Sequence, residues 1–216
     1  MKAGHEFTQT PCSSAGERKQ TLSPITTTTA IPTATPARLG LVDPATASPA
    51  VSKALAKLPV INLFRAMANA ESLYPAFIDF LSLLFGRSLE IDPALVRMIV
   101  LRVASLGECF YAWRQNVVVA RSVGVTEEQI AALHRGDIAA SCFSPAQQAA
   151  FAFTDEVVFI VEATDATYER AKEHFSDRAL TEILYVIGAY MFIARVIRSG
   201  RVPLDETPAP PPQVAL

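Results

Sequence analysis

The sequence contains few of the residues that build covalent, metal or cofactor sites, with only three cysteines and three histidines in 216 residues. Cys12, Cys109 and Cys142 lie far apart and form no CxxC pair, which argues against a disulfide framework and favours a reducing compartment. No cluster of potential ligands has metal-site spacing. There is also no glycine loop for a phosphate and no nucleophile elbow, so we expect neither a metal nor a cofactor.

Charge is sparse and evenly spread, with 19 Lys and Arg residues against 21 Asp and Glu residues. Because nucleic-acid binding requires a concentrated basic surface, a nucleic-acid partner is not expected. The longest apolar run, Ile183 to Ala194, is shorter than the roughly 20 residues that span a bilayer, so we predict a core helix and no membrane anchor. Residues 1–20 lack the apolar core of a secretory signal, and the expected location is the cytoplasm.

Apolar residues, in contrast, are abundant. They make up 50% of the chain, and the mean hydropathy is +0.27. This is high for a soluble chain of this length, and it indicates that helix faces are buried between subunits as well as within one subunit. We therefore expect a homo-oligomer.

Low-complexity composition marks both ends of the chain. Residues 1–40 are dominated by Thr, Ser, Pro and Ala, a composition that cannot bury enough apolar surface to offset the cost of ordering, so disorder is predicted there. Residues 206–216, which end in TPAPPPQVAL, predict an extended Pro-rich tail. One folded domain is expected at residues 41–205.

Helix-start signals followed by apolar stretches of 3.6-residue period recur through residues 41–205, and no alternating strand pattern is convincing. Asp92 and Pro93 form an N-cap and first-turn pair. Ser144 to Gln147 fits the capping box, in which the first and last side chains each bond the other's backbone. The pattern predicts an all-α domain.

The octapeptide CFYAWRQN, from Cys109 to Asn116, has the frame of an active-site helix without its proton-transfer groups. It resembles the motif C-x-Y-E-W-x-x-H of many members of the carboxymuconolactone decarboxylase and alkylhydroperoxidase D superfamily. Cys109, Tyr111 and Trp113 match this motif. Ala112 stands in the position of the acid, and Asn116 stands in that of the base.

The resemblance covers roughly Arg38 to Asp205. It implies an all-α bundle of orthogonal and antiparallel helices of the alkylhydroperoxidase D-like type, assembled as a trimer or hexamer. In the peroxidase branch, a second Cys, a His and a Glu stand where this chain has Ala112, Asn116 and Arg97. Dithiol peroxidase activity is therefore not expected.

The resemblance also makes Cys109, Asn116 and Arg97 the candidate catalytic residues. At a helix N-terminus the Cys109 thiol would be stabilised as a thiolate, but without an adjacent base we favour its interpretation as a small buried hydrophobe. Asn116 can polarise a carbonyl or stabilise an enolate, although it cannot act as a base. It can equally be a polar residue that the backbone or a neighbouring helix satisfies.

Two arginines, Arg97 and Arg102, lie on the helix before the motif. Arg97 can hold a carboxylate through two parallel hydrogen bonds. The alternative for both arginines is a structural ion pair with an acid such as Asp155 or Glu182. Aromatic residues of the motif are more often core or interface residues than substrate platforms. The candidate substrate-binding residues are Tyr111, Trp113, Ala112 and Arg102.

Three functions remain open. The resemblance implies an enzyme that decarboxylates or isomerises a small organic acid or lactone, and we expect a substrate of specialised metabolism. The loss of the acid and the base instead favours a catalytically silent oligomeric scaffold or ligand-binding relative. Redox chemistry of the single Cys109 thiol is a third hypothesis, which requires a lowered thiol pKa.

Overall fold

The computed structural model describes residues 36–86 and 88–209. All regular secondary structure in these ranges is α-helical, as predicted. Of the segment 1–40 that is predicted to be disordered, residues 1–35 lie outside the described residues, as do Cys12 and residues 210–216 of the predicted tail at 206–216. The helices are α1 (Pro49–Leu55), α2 (Asn62–Met67), α3 (Tyr74–Leu84), α4 (Pro93–Leu106), α5 (Phe110–Ser122), α6 (Glu127–Arg135), α7 (Pro145–Ile160), α8 (Asp165–Lys172) and α9 (Asp177–Gly200).

Side-chain caps form the predicted helix starts. The Asp92 carboxylate accepts hydrogen bonds from the backbone N–H groups of Ala94 at 2.7 Å and Leu95 at 3.3 Å. At the start of α7, Ser144 and Gln147 form the reciprocal capping box that the sequence predicts. These side chains satisfy N–H groups that have no partner inside their own helix.

One helix, α8, is not predicted by the sequence pattern. Its N-cap is Thr164, whose hydroxyl accepts a hydrogen bond from the backbone N–H of Thr167 at 3.4 Å. Ala171 is the only buried residue of this helix. Because α8 buries so little apolar surface, it carries no periodic apolar signal for a sequence-based prediction to detect.

Helix α4 lies at the centre of the domain and packs against α5, α6, α7 and α9. Eleven of its 14 residues are buried, among them Arg97 and Arg102. A helix with four packed neighbours carries its polar residues into the interior, where a charge is costly unless a partner compensates it. A partner inside the domain is therefore expected for each of these two arginines.

Helix α9 is long and apolar enough to cross a membrane by length and composition alone. More than half of its most apolar segment is buried inside the domain, and the helix packs against α2, α3, α4, α5, α7 and α8. This burial agrees with the predicted core helix. The large apolar side chains that α9 leaves exposed are Leu184, Tyr185 and Phe192.

Contacts with the helices extend to both sides of the predicted domain at residues 41–205. The backbone N–H groups of Arg38 and Leu39 donate to the carbonyl oxygen of Gly200 at 2.9 and 3.2 Å. After α9, Arg114 donates to the carbonyl oxygens of Asp205 and Glu206 at 2.9 and 2.8 Å. The segment after α9 is thereby held against α5.

Candidate functional site

A cavity of about 220 Å³ lies among α2, α3, α4, α5 and α9, and Ala209 from the segment after α9 is part of its wall. Most of the wall consists of apolar side chains, including Leu58, Phe64, Leu81 and Ile193. An apolar cavity with a few convergent polar groups is typical of a site for a small molecule. The polar side chains on the wall are Ser82, Arg97, Tyr111, Gln115, Asn116 and Tyr190.

Helix α5 presents to this cavity only part of the face that the motif predicts. The helical offsets place Cys109, Ala112, Trp113, Asn116 and Ala120 on one face, and of these Ala112 and Asn116 line the cavity. In the structure, Cys109 and Trp113 are buried but do not line the cavity. The rotation of α5 against its neighbours therefore turns an overlapping stripe toward the cavity. The residues of that stripe are Tyr111, Ala112, Gln115, Asn116 and Val119.

Three buried polar residues from three helices meet at the cavity wall. Tyr190 Oη of α9 donates a hydrogen bond to Asn116 Oδ1 of α5 at 2.8 Å. Asn116 Nδ2 donates to the Ala112 carbonyl oxygen at 2.8 Å, which fixes the orientation of the amide. Arg97 Nη1 of α4 lies 3.5 Å from the same Asn116 Oδ1, at the long limit of a hydrogen bond.

The Arg97 guanidinium carries a buried positive charge without an acidic partner among residues 36–86 and 88–209. Its side chain is buried, and its Cζ atom lies 4.0 Å from the centre of the Phe85 ring. Burial lowers the pKa of Arg97 below its ordinary value, whereas the neighbouring Tyr190 acts in the opposite direction. Arginine nevertheless stays protonated in proteins. Because the cation–π contact and the two polar neighbours do not neutralise its charge, Arg97 can bind an anion in the cavity.

Arg102 does not reach the cavity. Its Nε and Nη2 atoms donate to the two carboxylate oxygens of Asp155 at 2.7 and 2.6 Å, so it forms the structural ion pair that the sequence left as an alternative. Five residues along a helix correspond to a rotation of roughly 140°, which explains why Arg97 and Arg102 leave α4 in different directions. The structure thus separates two arginines that the sequence treats alike.

Cys109 is the N-cap residue of α5 and is 1% exposed. Burial raises the pKa of the Cys109 thiol, while a hydrogen bond from the Ala112 backbone and the charge of Arg198 act in the opposite direction. A protonated, enclosed thiol agrees with the interpretation of Cys109 as a small buried hydrophobe. The raised pKa is opposite to what single-thiol redox chemistry requires.

The two aromatic residues of the motif have different surroundings. The Trp113 ring packs against His134 of α6, with ring centres 5.2 Å apart. The Tyr111 ring lines the cavity, while its hydroxyl donates to an oxygen of Asp205 and accepts from the backbone N–H of Leu63 at 3.1 Å. Tyr111 therefore ties the first turn of α2 and the segment after α9 to the cavity wall.

Sequence reasoning missed Tyr190 and Phe85, the two side chains that surround Arg97 together with Asn116. The only local signal for Tyr190 is a polar group inside the apolar run that forms the middle of α9. Such a tyrosine usually bonds a buried partner. Its partner Asn116 is 74 residues away, so a single sequence offers no means of pairing them.

The profile of the Carboxymuconolactone decarboxylase family matches residues 72–156, which run from just before α3 into α7. No curated protein matches the chain. Among solved structures, an alkylhydroperoxidase AhpD core protein, an uncharacterised peroxidase-related protein from Ralstonia eutropha JMP134, matches with a TM-score of 0.69. It is 17% identical over 79% of this chain and 93% of that chain.

Two further structures share the fold. A putative antioxidant defence protein AhpD from Agrobacterium tumefaciens has a TM-score of 0.59 and 22% identity, with 64% of this chain and 95% of that chain covered. The debrominase Bmp8 in complex with 2,3,4-tribromopyrrole has a TM-score of 0.60 and 18% identity, with 73% and 82% covered. At these identities the structural likeness establishes the fold alone.

The fold is thus that of the alkylhydroperoxidase D-like helical proteins. The family match over residues 72–156 and this fold agree with the predicted resemblance to the carboxymuconolactone decarboxylase and alkylhydroperoxidase D-like superfamily. Both this resemblance and the all-α fold class that the sequence predicts are confirmed. The predicted trimer or hexamer stays a prediction, as do the roles of the site residues.

Proposed function

We propose that this protein is a carboxymuconolactone decarboxylase-like enzyme that decarboxylates or isomerises a small organic acid or its lactone. The main support for this proposal is the environment of Arg97. The Arg97 guanidinium is buried on the Phe85 ring at the wall of an apolar cavity, and no Asp or Glu of the described residues compensates its charge. A ligand carboxylate would supply that compensation through two parallel charged hydrogen bonds.

The size of the cavity limits the acid to a small molecule. A cavity of roughly 150 Å³ lined by Leu, Ile and Phe accepts benzene. The present cavity of about 220 Å³ leaves room for one ring, or an aliphatic chain of similar volume, together with a short acidic side chain. The apolar wall around Leu81 and Ile193 favours a hydrocarbon body over a sugar or a nucleotide.

The side chains of this cavity suit a reaction in which the negative charge of a carboxylate is lost or spread over the substrate. Those that the structure describes do not include the strong base that proton abstraction would require. Removal of a carboxylate from water favours a transition state in which its charge is spread over more atoms. Asn116 lies where it can polarise a substrate carbonyl. Because the family's usual acid and base are absent at Ala112 and Asn116, we propose a substrate of specialised metabolism instead of the aromatic-catabolic lactone.

Binding of matched ligands tests the anchoring role of Arg97. We expect 3-phenylpropionate to bind wild-type protein at least about tenfold more tightly than the neutral 3-phenylpropanamide. Arg97→Met should abolish this preference. Arg195→Met is the matched control, because Arg195 is exposed and its Nη1 donates to the Met191 carbonyl oxygen of its own helix. Equal affinities of wild-type protein for the acid and the amide, measured by calorimetry, would contradict the proposal.

The second candidate function is a catalytically silent relative that binds an organic acid without turnover. Ala112 and Asn116 in place of the acid and base, and the enclosed Cys109 thiol away from the cavity, favour it. Native mass spectrometry of the protein with a metabolite extract, followed by turnover assays of each captured acid, separates the two functions. Captured acids that remain unchanged after incubation would favour the silent relative.

We also infer a cytoplasmic homo-oligomer, trimeric or hexameric. The exposed face of α9 supports this proposal: Phe192 packs edge-on to Phe77 with ring centres 5.2 Å apart, and Tyr185 packs near Phe80 at 6.0 Å. Aromatic side chains left exposed next to one another on a helix surface are typical of a subunit interface. A monomeric mass in size-exclusion chromatography with light scattering would contradict the proposal.

A further inference from the structure

Tyr190 places a hydroxyl group at the cavity wall beside the only buried cation that lines it among the described residues. The hydroxyl donates to Asn116 Oδ1 at 2.8 Å, and Arg97 Nη1 lies 3.5 Å from the same oxygen. Ile187 and Ile193 of the same helix are buried in the apolar core. Tyr190 is thus an ionisable group that reaches the cavity from a different helix than the motif.

We propose that Tyr190 is the proton donor of this site and that its substrates are small β-keto acids whose decarboxylation produces an enolate. This inference rests on the proposed function, because it takes Arg97 as the anchor of the acid. It goes beyond that function by naming the substrate class. It also assigns proton transfer to Tyr190 of α9, because Asn116 of α5 occupies the position of the family's usual base and cannot transfer a proton.

The shape of the guanidinium favours a β-keto acid. Its N–H donors lie in one plane and form a rigid fork. In a β-keto acid, one carboxylate oxygen and the ketone oxygen can lie side by side in one plane, so Arg97 can contact both. Such contacts stabilise the substrate and the enolate alike, and they do not by themselves lower the barrier. The neighbouring Tyr190 hydroxyl can stabilise the enolate more than the substrate, because it can give its proton to the enolate oxygen.

In the reaction, the bond between the carboxylate carbon and the α-carbon breaks, and carbon dioxide leaves. The electron pair of that bond becomes the carbon–carbon double bond, and the π electrons of the ketone move onto its oxygen. The Tyr190 hydroxyl passes its proton to this oxygen, which gives an enol and a tyrosinate. Water returns a proton to the tyrosinate after the product leaves, and the enol becomes a ketone in solution.

The net charge of the buried site stays constant during this step. Before the step, the Arg97 cation faces the substrate carboxylate. After it, the same cation faces the Tyr190 phenolate, and both the enol and carbon dioxide are neutral. Because a net charge in an apolar interior is costly, a step that moves the anion from one Arg97 neighbour to another avoids that cost.

The protonation state of the free site suits a donor. Burial raises the pKa of Tyr190, so the hydroxyl carries its proton at neutral pH, whereas the Arg97 charge opposes this shift and supports the phenolate once it forms. Tyr190 is therefore available as an acid and not as a base. In the free site the hydroxyl donates this proton to Asn116 Oδ1, and in the proposed step it donates the proton to the ketone oxygen instead.

Benzoylacetate and 3-phenylpropionate are the probes that test this inference. We expect wild-type protein to accelerate decarboxylation of benzoylacetate. Tyr190→Phe should lower kcat by about 10²- to 10³-fold, in the range typical of a lost general acid, and should bind 3-phenylpropionate within about threefold of wild type. Tyr185→Phe is the matched control on the same helix, because Tyr185 is exposed. It should keep the wild-type kcat for benzoylacetate and the wild-type affinity for 3-phenylpropionate.

A second variant covers the case in which Tyr190→Phe fails to fold. Site-specific incorporation of 3-fluorotyrosine at position 190 makes the phenol more acidic with little change in volume, and we expect it to raise kcat for benzoylacetate. An unchanged kcat in this protein would overturn the role of Tyr190, as would full activity of Tyr190→Phe.

The two proposals fail in different ways. If wild-type protein prefers 3-phenylpropionate to its amide but does not accelerate loss of carbon dioxide from benzoylacetate, the proton-donor inference is overturned and the anion site stands. If the acid and the amide bind equally or not at all, the anion site is overturned, and the inference that rests on it is overturned as well.

Discussion

The Tyr190 hydroxyl donates a hydrogen bond to Oδ1 of Asn116 over 2.8 Å, across 74 residues of sequence. Asn116 Nδ2 is already bonded to the Ala112 carbonyl oxygen at 2.8 Å, so its Oδ1 is held toward Tyr190 and Arg97. The motif helix α5 therefore supplies only part of the site. Helices α4 and α9 supply the charged group and the ionisable hydroxyl.

Asn116→Asp is expected to remove carboxylate binding. Arg97 Nη1 lies 3.5 Å from Asn116 Oδ1, so a carboxylate at this position would form an internal ion pair and take the place of the ligand. We expect the affinity for 3-phenylpropionate to fall by at least about tenfold. Asn116→Ala adds no charge and should keep the preference for the acid over the amide. Calorimetry measures both; an unchanged affinity of Asn116→Asp would place the ligand away from Arg97.

Asp155→Asn should destabilise the domain strongly, because it leaves the buried Arg102 charge without its partner. The pair has side-chain exposures of 4% and 21%, and loss of one member of such a buried pair costs about 3 kcal/mol or more. The exposed pair of Lys57 and Asp79 is the comparison, and Asp79→Asn should cost less than about 1 kcal/mol. Urea unfolding measures both changes; similar costs for the two substitutions would contradict the structure.

Asp205→Ala should loosen the segment after α9. The Asp205 carboxylate accepts from the backbone N–H of Asn62 at 2.8 Å, from Gln115 Nε2 at 2.8 Å and from the Tyr111 hydroxyl. Without these bonds, the amide hydrogens of Asn62 and Ala209 should exchange faster with solvent. Hydrogen–deuterium exchange measures this directly, and Glu206→Ala is the control, because within residues 36–86 and 88–209 Glu206 is bonded to the domain through its backbone oxygen and not through its side chain. Unchanged exchange would show that Asp205 does not hold the segment.

Glu182 should stabilise the domain at neutral pH and lose this effect in acid. Burial alone would raise the pKa of Glu182, but hydrogen bonds from Arg178 and from the backbone N–H groups of Glu90 and Ile91 outweigh burial, and the pKa is lowered. A lowered folded-state pKa means that the stabilisation is present above the unfolded-state pKa and disappears as pH falls through the folded-state pKa.

Thermal unfolding of wild type and Glu182→Gln from neutral pH to below about pH 4 checks this expectation. The wild type should be more stable at neutral pH, and the difference should shrink in acid. A difference that stays constant with pH would show that the ionised Glu182 is not the source of the stabilisation.

Cys109 should resist alkylation in the folded protein. It is 1% exposed, and burial raises its thiol pKa, so little thiolate is accessible to a reagent. Cys142 is only partly buried and should react sooner with N-ethylmaleimide. Peptide mapping by mass spectrometry after short and long exposure distinguishes the two thiols. Rapid labelling of Cys109 would reopen single-thiol redox chemistry.

Local signals in the sequence were sufficient for most helix starts. The carboxylate of Asp92 and the hydroxyl of Ser144 cap groups two or three residues away, and interactions of such short range can be inferred from spacing alone. Helix α8 was missed because Ala171 is its only buried residue, which leaves no apolar period. The motif from Cys109 to Asn116 was enough to predict the family.

By itself, the sequence determined the all-α class, the resemblance to the family and the replacement of its usual acid and base by Ala112 and Asn116. Only the tertiary structure decided that Arg97 faces the cavity while Arg102 pairs with Asp155, and that Tyr190 meets Asn116. The physical reason is that helix formation and capping depend on neighbours in sequence, whereas the direction of a side chain depends on how each helix rotates against the others. That rotation is set by the packing of the whole core.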